Sequence, residues 1–458
     1  MIETDLQVYL PDLKEVENLF SGGDEFRIRH RFSATQNKLV NTITVNGQTY
    51  AYGNIVGDFS NEIEHKRLTK RYAKLSLYKA LSRFTGKEMP WGALTGIRPT
   101  KLAYQQLEET GEFTEFFTDI MKVSNKKTLL TQAVLDSQKG IYEKNDDNAD
   151  FFVFIPFCPT RCKYCSFISA DINRAKDYVD AYVDTLIEEI NSSAQYVKKL
   201  RSIYVGGGTP VALPNDKLIK VLKAIEKINS GVEYTVEAGR PDAINKENLA
   251  ILKDFGVTRI CVNPQTFSNN TLDLLGRNHS AEQVVEKYAL AKANFDFDIN
   301  MDLIAGLQGE TFEDFEKSLS TAISLDPENL TVHTLCIKKG SSLAEETARL
   351  PEGEVEKMVE YAHDTLSSAG YNPYYLYRQK YMAGNLENTG YTKPGKACVY
   401  NVDVMEEISQ NVACGANAVS KRVFNGGERI ERLASPKDLQ TYLQKAPTIM
   451  QNKEKFFK

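Results

Sequence analysis

Three cysteines fall within eight consecutive positions, in the run Ile155-Pro156-Phe157-Cys158-Pro159-Thr160-Arg161-Cys162-Lys163-Tyr164-Cys165-Ser166-Phe167. Their spacing is C-x3-C-x2-C. Thiolates ligate iron–sulfur clusters, and a [4Fe–4S] cube takes four such ligands when fully coordinated. Three closely spaced thiolates leave one iron open, and an open metal position can bind a substrate or cofactor. A structural zinc site wants four ligands, commonly as two close pairs. No further Cys or His lies near enough in sequence to complete one, the next cysteine being Cys261. The expected metal ligands are therefore Cys158, Cys162 and Cys165, around a [4Fe–4S] cluster.

A loop of this kind needs a rigid platform. Phe151–Ile155 precedes it as a short apolar run, and further candidate strands are Ser202–Val205, Glu233–Glu237, Arg259–Val262, Asp298–Leu303 and Leu330–Leu335. Helical patterns lie between them. The clearest has Val179, Tyr182, Val183, Leu186, Ile187 and Ile190 on one face, a 3.6-residue period. Strands alternating with helices predict a parallel sheet. Six such units predict an α/β fold, an incomplete TIM-like (β/α)6 barrel, with the site at the C-terminal strand ends. Directly after the second strand comes Gly206-Gly207-Gly208-Thr209-Pro210, whose glycines let a backbone approach a ligand closely.

The rest of the chain brackets this barrel. Residues 1–145 read as an N-terminal α+β domain. It has β-like runs at Phe26–Phe32, Lys38–Val45 and Gln48–Tyr52, and a hairpin signal at Asn46-Gly47. A helix is expected over Ile63–Phe84. The loop from Met89 to Lys101 then carries the single tryptophan, Trp91. Polar Asn145–Asp150 reads as a linker. The barrel is expected over 151–350 and a smaller C-terminal α+β domain over 351–458. That domain begins with a helix near Glu354–Ala369, and its tail from Asn452 to Lys458 is expected to fray.

Bulk composition narrows the function classes. The chain has 458 residues, 42% hydrophobic and 26% charged, with a formal net charge of −5. An acidic balance argues against nucleic acid as a partner. No basic stretch followed by an apolar core opens the chain, and no run of about 20 apolar residues occurs. A cytoplasmic protein with no membrane span is expected. Seven cysteines, three of them crowded, do not make a disulfide framework.

The Ile-Pro-Phe-Cys start, the cysteine loop and Gly-Gly-Gly-Thr-Pro together resemble the oxygen-independent coproporphyrinogen III oxidase (HemN-like) family of radical S-adenosylmethionine (SAM) enzymes. The resemblance runs from about Phe151 to Ser342, and more weakly to Phe424. Trp-Gly-x-Leu-Thr-Gly-Ile-Arg-Pro-Thr-Lys (Trp91–Lys101) and Thr-Val-Glu-Ala-Gly-Arg-Pro (Thr235–Pro241) look like its HemZ branch. The resemblance implies a radical SAM barrel whose open iron binds SAM. An electron from the cluster then cleaves SAM to a radical that abstracts hydrogen. It implies oxidative decarboxylation of two propionates of coproporphyrinogen III to the vinyls of protoporphyrinogen IX, a step of haem biosynthesis. An unidentified electron donor is implied as well. The family's SAM contacts carry over onto Tyr164, Gly207, Gly208, Thr209, Glu237, Gln265, Arg277 and Asp302. No side chain is given a catalytic role beyond the cluster and SAM.

Three positions depart from the family pattern: Phe152 and Phe154 stand where it often has Tyr and His, and Phe167 where the proven oxidases carry a fourth cysteine. Phe167 is shared with the family's haem-chaperone branch. Two alternatives follow: a haem-binding delivery protein without oxidase turnover, or a radical SAM enzyme acting on haem. The tetrapyrrole partner is thus coproporphyrinogen III or haem. Tyr371, Tyr374, Tyr375, Tyr377 and Tyr381, near Arg378 and Lys380, read first as a packed strand and second as a tetrapyrrole face. Lys338-Lys339 reads as a solvated loop before a propionate partner. Gly415–Ser420 matches a structural segment of the family. His30, His65, His279, His333 and His363 show no metal-ligand spacing, with His279 and His333 the two weighed as haem ligands.

Overall fold

Alternating apolar residues and turn signals set the N-terminal strands. The computed structural model describes residues 1–21, 25–35, 37–56, 62–95, 98–165, 170–336, 352–379, 382 and 385–458, with only the backbone of Ile63 and Glu352. Gly96, Ile97, Ser166, Phe167, Lys338, Lys339, Lys380 and Tyr381 lie outside the described residues. Contacts divide the chain into two units. One holds Met1–Gln132 with Arg378, the other Ala133–Tyr377 with Glu387–Lys458.

In the first unit the strands β1 (Ile2–Thr4), β2 (Ile28–Thr35), β3 (Lys38–Val45) and β4 (Gln48–Ile55) form one sheet in that order. Asn46 and Gly47 turn β3 into β4 with φ of 46° and 93°, the left-handed pair a two-residue hairpin needs. Leu39, Ile43 and Val45 are fully buried on the side packed against the helix Glu62–Thr85. His30 is a core histidine, with Thr4 Oγ1 and Asn41 Oδ1 each 2.8 Å from its ring nitrogens. Trp91 is also fully buried, with the Arg378 guanidinium 5.2 Å from its ring centre.

In the second unit the six expected strands are all present. They are β5 (Asn148–Ile155), with β6 (Phe157–Cys158) and β7 (Ala170–Asp171) pairing just beyond it, then β8 (Lys199–Gly207), β9 (Glu233–Gly239), β10 (Arg259–Val262), β11 (Asp298–Ala305) and β12 (Asn329–Thr334). The neighbours β5-β8-β9-β10-β11-β12 are all parallel. This is the incomplete TIM-like barrel. The helix Lys176–Ser193 buries Val179, Tyr182, Val183, Leu186 and Ile190, the stripe read from the sequence.

Strands from residues beyond 351 hydrogen-bond into the same sheet. On one edge β13 (Asn372–Tyr377) and β14 (Asn388–Thr392) run antiparallel beside β12. On the other, β15 (Gln410–Cys414) runs parallel to β5, followed by antiparallel β16 (Val419–Phe424) and β17 (Arg429–Ala434).

Two local expectations are corrected. The polar stretch Asn145–Asp150 is not all linker, because β5 begins at Asn148 and Asp150 is 1% exposed. Ser202 donates to its carboxylate at 2.6 Å, so a polar barrel floor takes the place of solvent. The tail is not frayed. Ala446–Phe457 is a helix, and Lys453 is 2% exposed in an ion pair with Glu189.

Candidate active site

The cysteine loop leaves the barrel through β6. Its backbone is held by β7, where Ile172 donates to Cys158 O at 2.9 Å, and from below by the Gly-rich turn, where Thr209 donates to Phe157 O at 2.7 Å. Cys158, Cys162 and Cys165 are all partly exposed and none forms a disulfide. Thr209 Oγ1 donates to Cys158 Sγ at 3.6 Å.

Glycine is required in that turn. A Cβ on Gly208 would lie 2.5 Å from Phe157 O, against the backbone that carries Cys158. Gly207 has φ of 104°, and its Cβ would strike the Phe154 ring. The freed Gly207 N–H donates to Glu237 Oε2 at 3.1 Å. Phe154 therefore packs where a larger residue at 207 cannot.

Glu237, at the end of β9, is the electrostatic centre. Tyr204 OH donates to Oε1 at 2.7 Å. Burial pushes its carboxyl up to about 7, opposed by the Tyr204 hydrogen bond and reinforced by the Asp302 charge. Among the described residues no cation pairs with it. Asp302, at the end of β11, is the opposite case. Burial raises it, but His333 and Asn300 outweigh burial and leave it below the ordinary range. Asn300 Nδ2 donates to Asp302 Oδ1 at 2.8 Å, and His333 Nε2 lies 3.9 Å from Oδ2.

Tyr164 and Arg277 form a second pair. Arg277 Nη1 donates to Tyr164 OH at 2.7 Å and Nη2 to Asn263 O at 2.9 Å. Tyr164 packs against Leu275, Ile304 and Leu307, tying the cysteine loop to the far side of the barrel mouth. The buried Arg277 Nε and Asn263 Oδ1 have no hydrogen-bond partner among the described residues. Gln265 takes the left-handed region at φ 68°, with its N–H on Asp302 O at 2.9 Å. A non-glycine residue held there carries backbone strain of about 1–3 kcal/mol.

Seven of the eight expected contact residues lie on the cysteine loop or at, or just beyond, the C-terminal end of a strand; Arg277 lies after the helix Asn269–Leu274 and reaches Tyr164 from there. Sequence reasoning missed two others. Tyr204 faces into the barrel and stacks on Tyr400 with ring centres 4.4 Å apart; Phe152 stacks on both. Its alternation with Val205 along β8 was the available signal. Arg240 reaches the cysteine loop through Thr160, and in the sequence it stands out only as part of the branch motif Thr235–Pro241. Tyr371, Tyr374 and Tyr375 are buried packing residues, Tyr371 donating to Pro327 O at 2.7 Å. His279 is buried with neither ring nitrogen partnered among the described residues, and burial followed by Arg277 pushes it down to about 3.

Among the described residues no group of three or more His, Cys, Asp or Glu side chains is drawn together around one ion. The three thiols are spread along a loop. A [4Fe–4S] cube takes its thiolates on separate irons and three of them leave the fourth iron open, so this donor set suits a cluster better than a lone ion. The orphaned Arg277 Nε and the uncompensated Glu237 suit a zwitterionic ligand beside it.

Comparison with known proteins agrees with this geometry. The radical SAM superfamily model matches residues 152–322. The chain is 35% identical to the oxygen-independent coproporphyrinogen-III oxidase-like protein HemZ of Bacillus subtilis, over 87% of this chain and 83% of that protein. It is 28% identical to the heme chaperone HemW of Haemophilus influenzae, over 64% of this chain and 75% of that protein. Among solved structures, coproporphyrinogen III oxidase (HemN) from Escherichia coli, a radical SAM enzyme, matches with a TM-score of 0.52 at 21% identity. That match covers 71% of this chain and 73% of the other, and it bears on the fold alone. No described helix is long and apolar enough to cross a membrane.

Proposed function

Because the chain belongs to the HemN- and HemZ-like family of radical SAM proteins, we propose that it is a tetrapyrrole oxidoreductase that oxidatively decarboxylates propionates of coproporphyrinogen III. In this reading Cys158, Cys162 and Cys165 hold a [4Fe–4S] cluster. SAM is held by Tyr164, Gly207, Gly208, Thr209, Glu237, Gln265, Arg277 and Asp302. The cluster and SAM together supply one-electron chemistry able to take a hydrogen atom from an unactivated carbon. Each propionate would give one hydrogen atom to the radical derived from SAM, then release carbon dioxide and pass one electron to an external one-electron acceptor, leaving a vinyl.

The residues have distinct tasks. Glu237 offers its ionised carboxylate to an ammonium group, and Arg277 offers its guanidinium to a carboxylate. The Gly207–Thr209 turn lets its backbone lie against the ligand. Phe152, Tyr204 and Tyr400 fill the barrel beneath Glu237 and exclude water from that side. The observation that carries the reading is the connected set Cys158–Thr209 and Gly207–Glu237–Tyr204 at the strand ends.

The test is an anaerobic assay of the reconstituted full chain with SAM, a reductant and coproporphyrinogen III. Products are read by mass, beside a Cys162→Ala control. Loss of two carboxyl groups with matching 5′-deoxyadenosine, absent in the control, is the expected result. SAM cleavage with intact coproporphyrinogen rejects this substrate. A second reading, haem delivery without turnover, is favoured by Phe167 at the fourth-cysteine position of the oxidases. Tight haem binding with no consumption of coproporphyrinogen would select it.

A further inference from the structure

Arg240 follows β9 directly and is 4% exposed. Its fork is fully engaged. Nε and Nη2 donate to the two carboxylate oxygens of Asp242 at 2.9 and 2.6 Å. Nη1 donates to Thr160 O at 3.0 Å, to Thr160 Oγ1 at 2.7 Å and to Cys162 Sγ at 3.8 Å, the last within sulfur's longer reach. One guanidinium therefore spans an acidic anchor on the barrel and two residues of the cysteine loop.

We propose that Arg240 is a positioning residue that fixes the cysteine loop and raises the reduction potential of the cluster bound there, with Asp242 acting in the opposite sense. The inference rests on the cluster reading above. Reduction adds one negative charge to the cluster, and a buried cation beside a ligating sulfur stabilises that charge. Asp242 neutralises part of the cation and so limits the effect. A lysine cannot replace the fork, because a point charge does not bridge a carboxylate, a carbonyl and a sulfur at once. In the HemZ-like motif Thr235–Pro241, Arg240 thereby acquires a function that its neighbour Glu237 does not share.

The experiment is an anaerobic redox titration of the reconstituted full chain, followed by electron paramagnetic resonance, with iron and sulfide content measured on each sample. Wild type is compared with Arg240→Gln, Arg240→Lys, Thr160→Val and Asp242→Asn. At the wild-type midpoint, Arg240→Gln is expected to lower the ratio of reduced to oxidised cluster about tenfold, a shift of about 59 mV for one electron. Arg240→Lys shifts it less, and Asp242→Asn shifts it the other way. A ratio within about twofold of wild type in iron-replete Arg240→Gln overturns the proposal. If Arg240→Gln does not retain iron, the remaining variants decide: Asp242→Asn moving the potential downward or not at all overturns it. Thr160→Val keeps the charge and tests positioning alone; an unchanged resonance line shape and iron content there overturns the loop-fixing half. Wild type that assembles no cluster sinks the functional reading itself, an outcome separable from any change among the variants.

Discussion

Glu189 and Glu237 lie in the same unit and meet opposite surroundings. Glu189 is 2% exposed. Its Oε1 pairs with Lys453 Nζ at 2.7 Å, and its Oε2 accepts from Tyr442 OH at 2.6 Å and the Gly415 N–H at 2.8 Å. Lys453 is saturated in turn by Ser193 Oγ at 3.2 Å and Cys414 Sγ at 3.3 Å. Every charge has its counterpart, and the result clamps the Ala446–Phe457 helix to the Lys176–Ser193 helix. Among the described residues Glu237 has a hydroxyl and one amide but no cation, and burial pushes its carboxyl up to about 7. A closed network is architecture; an open one awaits a ligand.

The largest effect should come from opening the closed network. Lys453→Met leaves Glu189 buried and unpaired, and removing one partner of a buried pair costs about 3–5 kcal/mol. Urea unfolding followed by circular dichroism should show that loss. A change under about 1 kcal/mol would put Glu189 in the same class as Glu237.

The mirror experiment is Glu237→Gln. It removes a buried charge with no described cationic partner, so unfolding stability should not fall by more than about 1 kcal/mol below wild type. SAM affinity, measured by calorimetry on the cluster-reconstituted protein, should weaken about tenfold or more, about 1.4 kcal/mol. Lost stability with unchanged SAM affinity would reverse the two roles.

The carboxyl also gives the comparison a pH axis. Folding raises it from 4.5 to about 7, so between those values the folded state holds a proton that the unfolded state releases. Stability of the SAM-free protein therefore falls as pH rises through that window. Its ionised form is the one that receives an ammonium. SAM affinity should rise from about pH 6 to about pH 8, and Glu237→Gln should flatten both profiles.

What the sequence disclosed follows the same division. The six barrel strands and the Lys176–Ser193 stripe were legible because periodicity is a local property of the chain. The three cysteines and the Gly-rich turn were legible because their chemistry demands fixed spacing. Asp150 and Lys453 were misread for a common reason. Each looks solvated in its own polar neighbourhood, and each is buried by partners far away in sequence: Ser202 for one, Glu189 for the other. Arg240 was hidden because its partner Thr160 lies 80 residues earlier. Composition reports burial only where neighbours in sequence are neighbours in space.

The finest test removes one hydroxyl from each glutamate. Tyr442→Phe takes a hydrogen bond from a carboxylate that keeps Lys453 and the Gly415 N–H. A charge-assisted bond is worth about 1.5–3 kcal/mol, and two surviving partners place the loss at the lower end. Tyr204→Phe takes the hydrogen bond that most opposes burial at Glu237. The carboxyl can respond by keeping its proton, an escape that the ion-paired Glu189 lacks. Stability should therefore fall less than in Tyr442→Phe, while the pH at which SAM affinity levels off moves upward. Equal losses of stability in the two variants, with no displacement of the SAM profile, would mean that Glu237 belongs to a closed network after all.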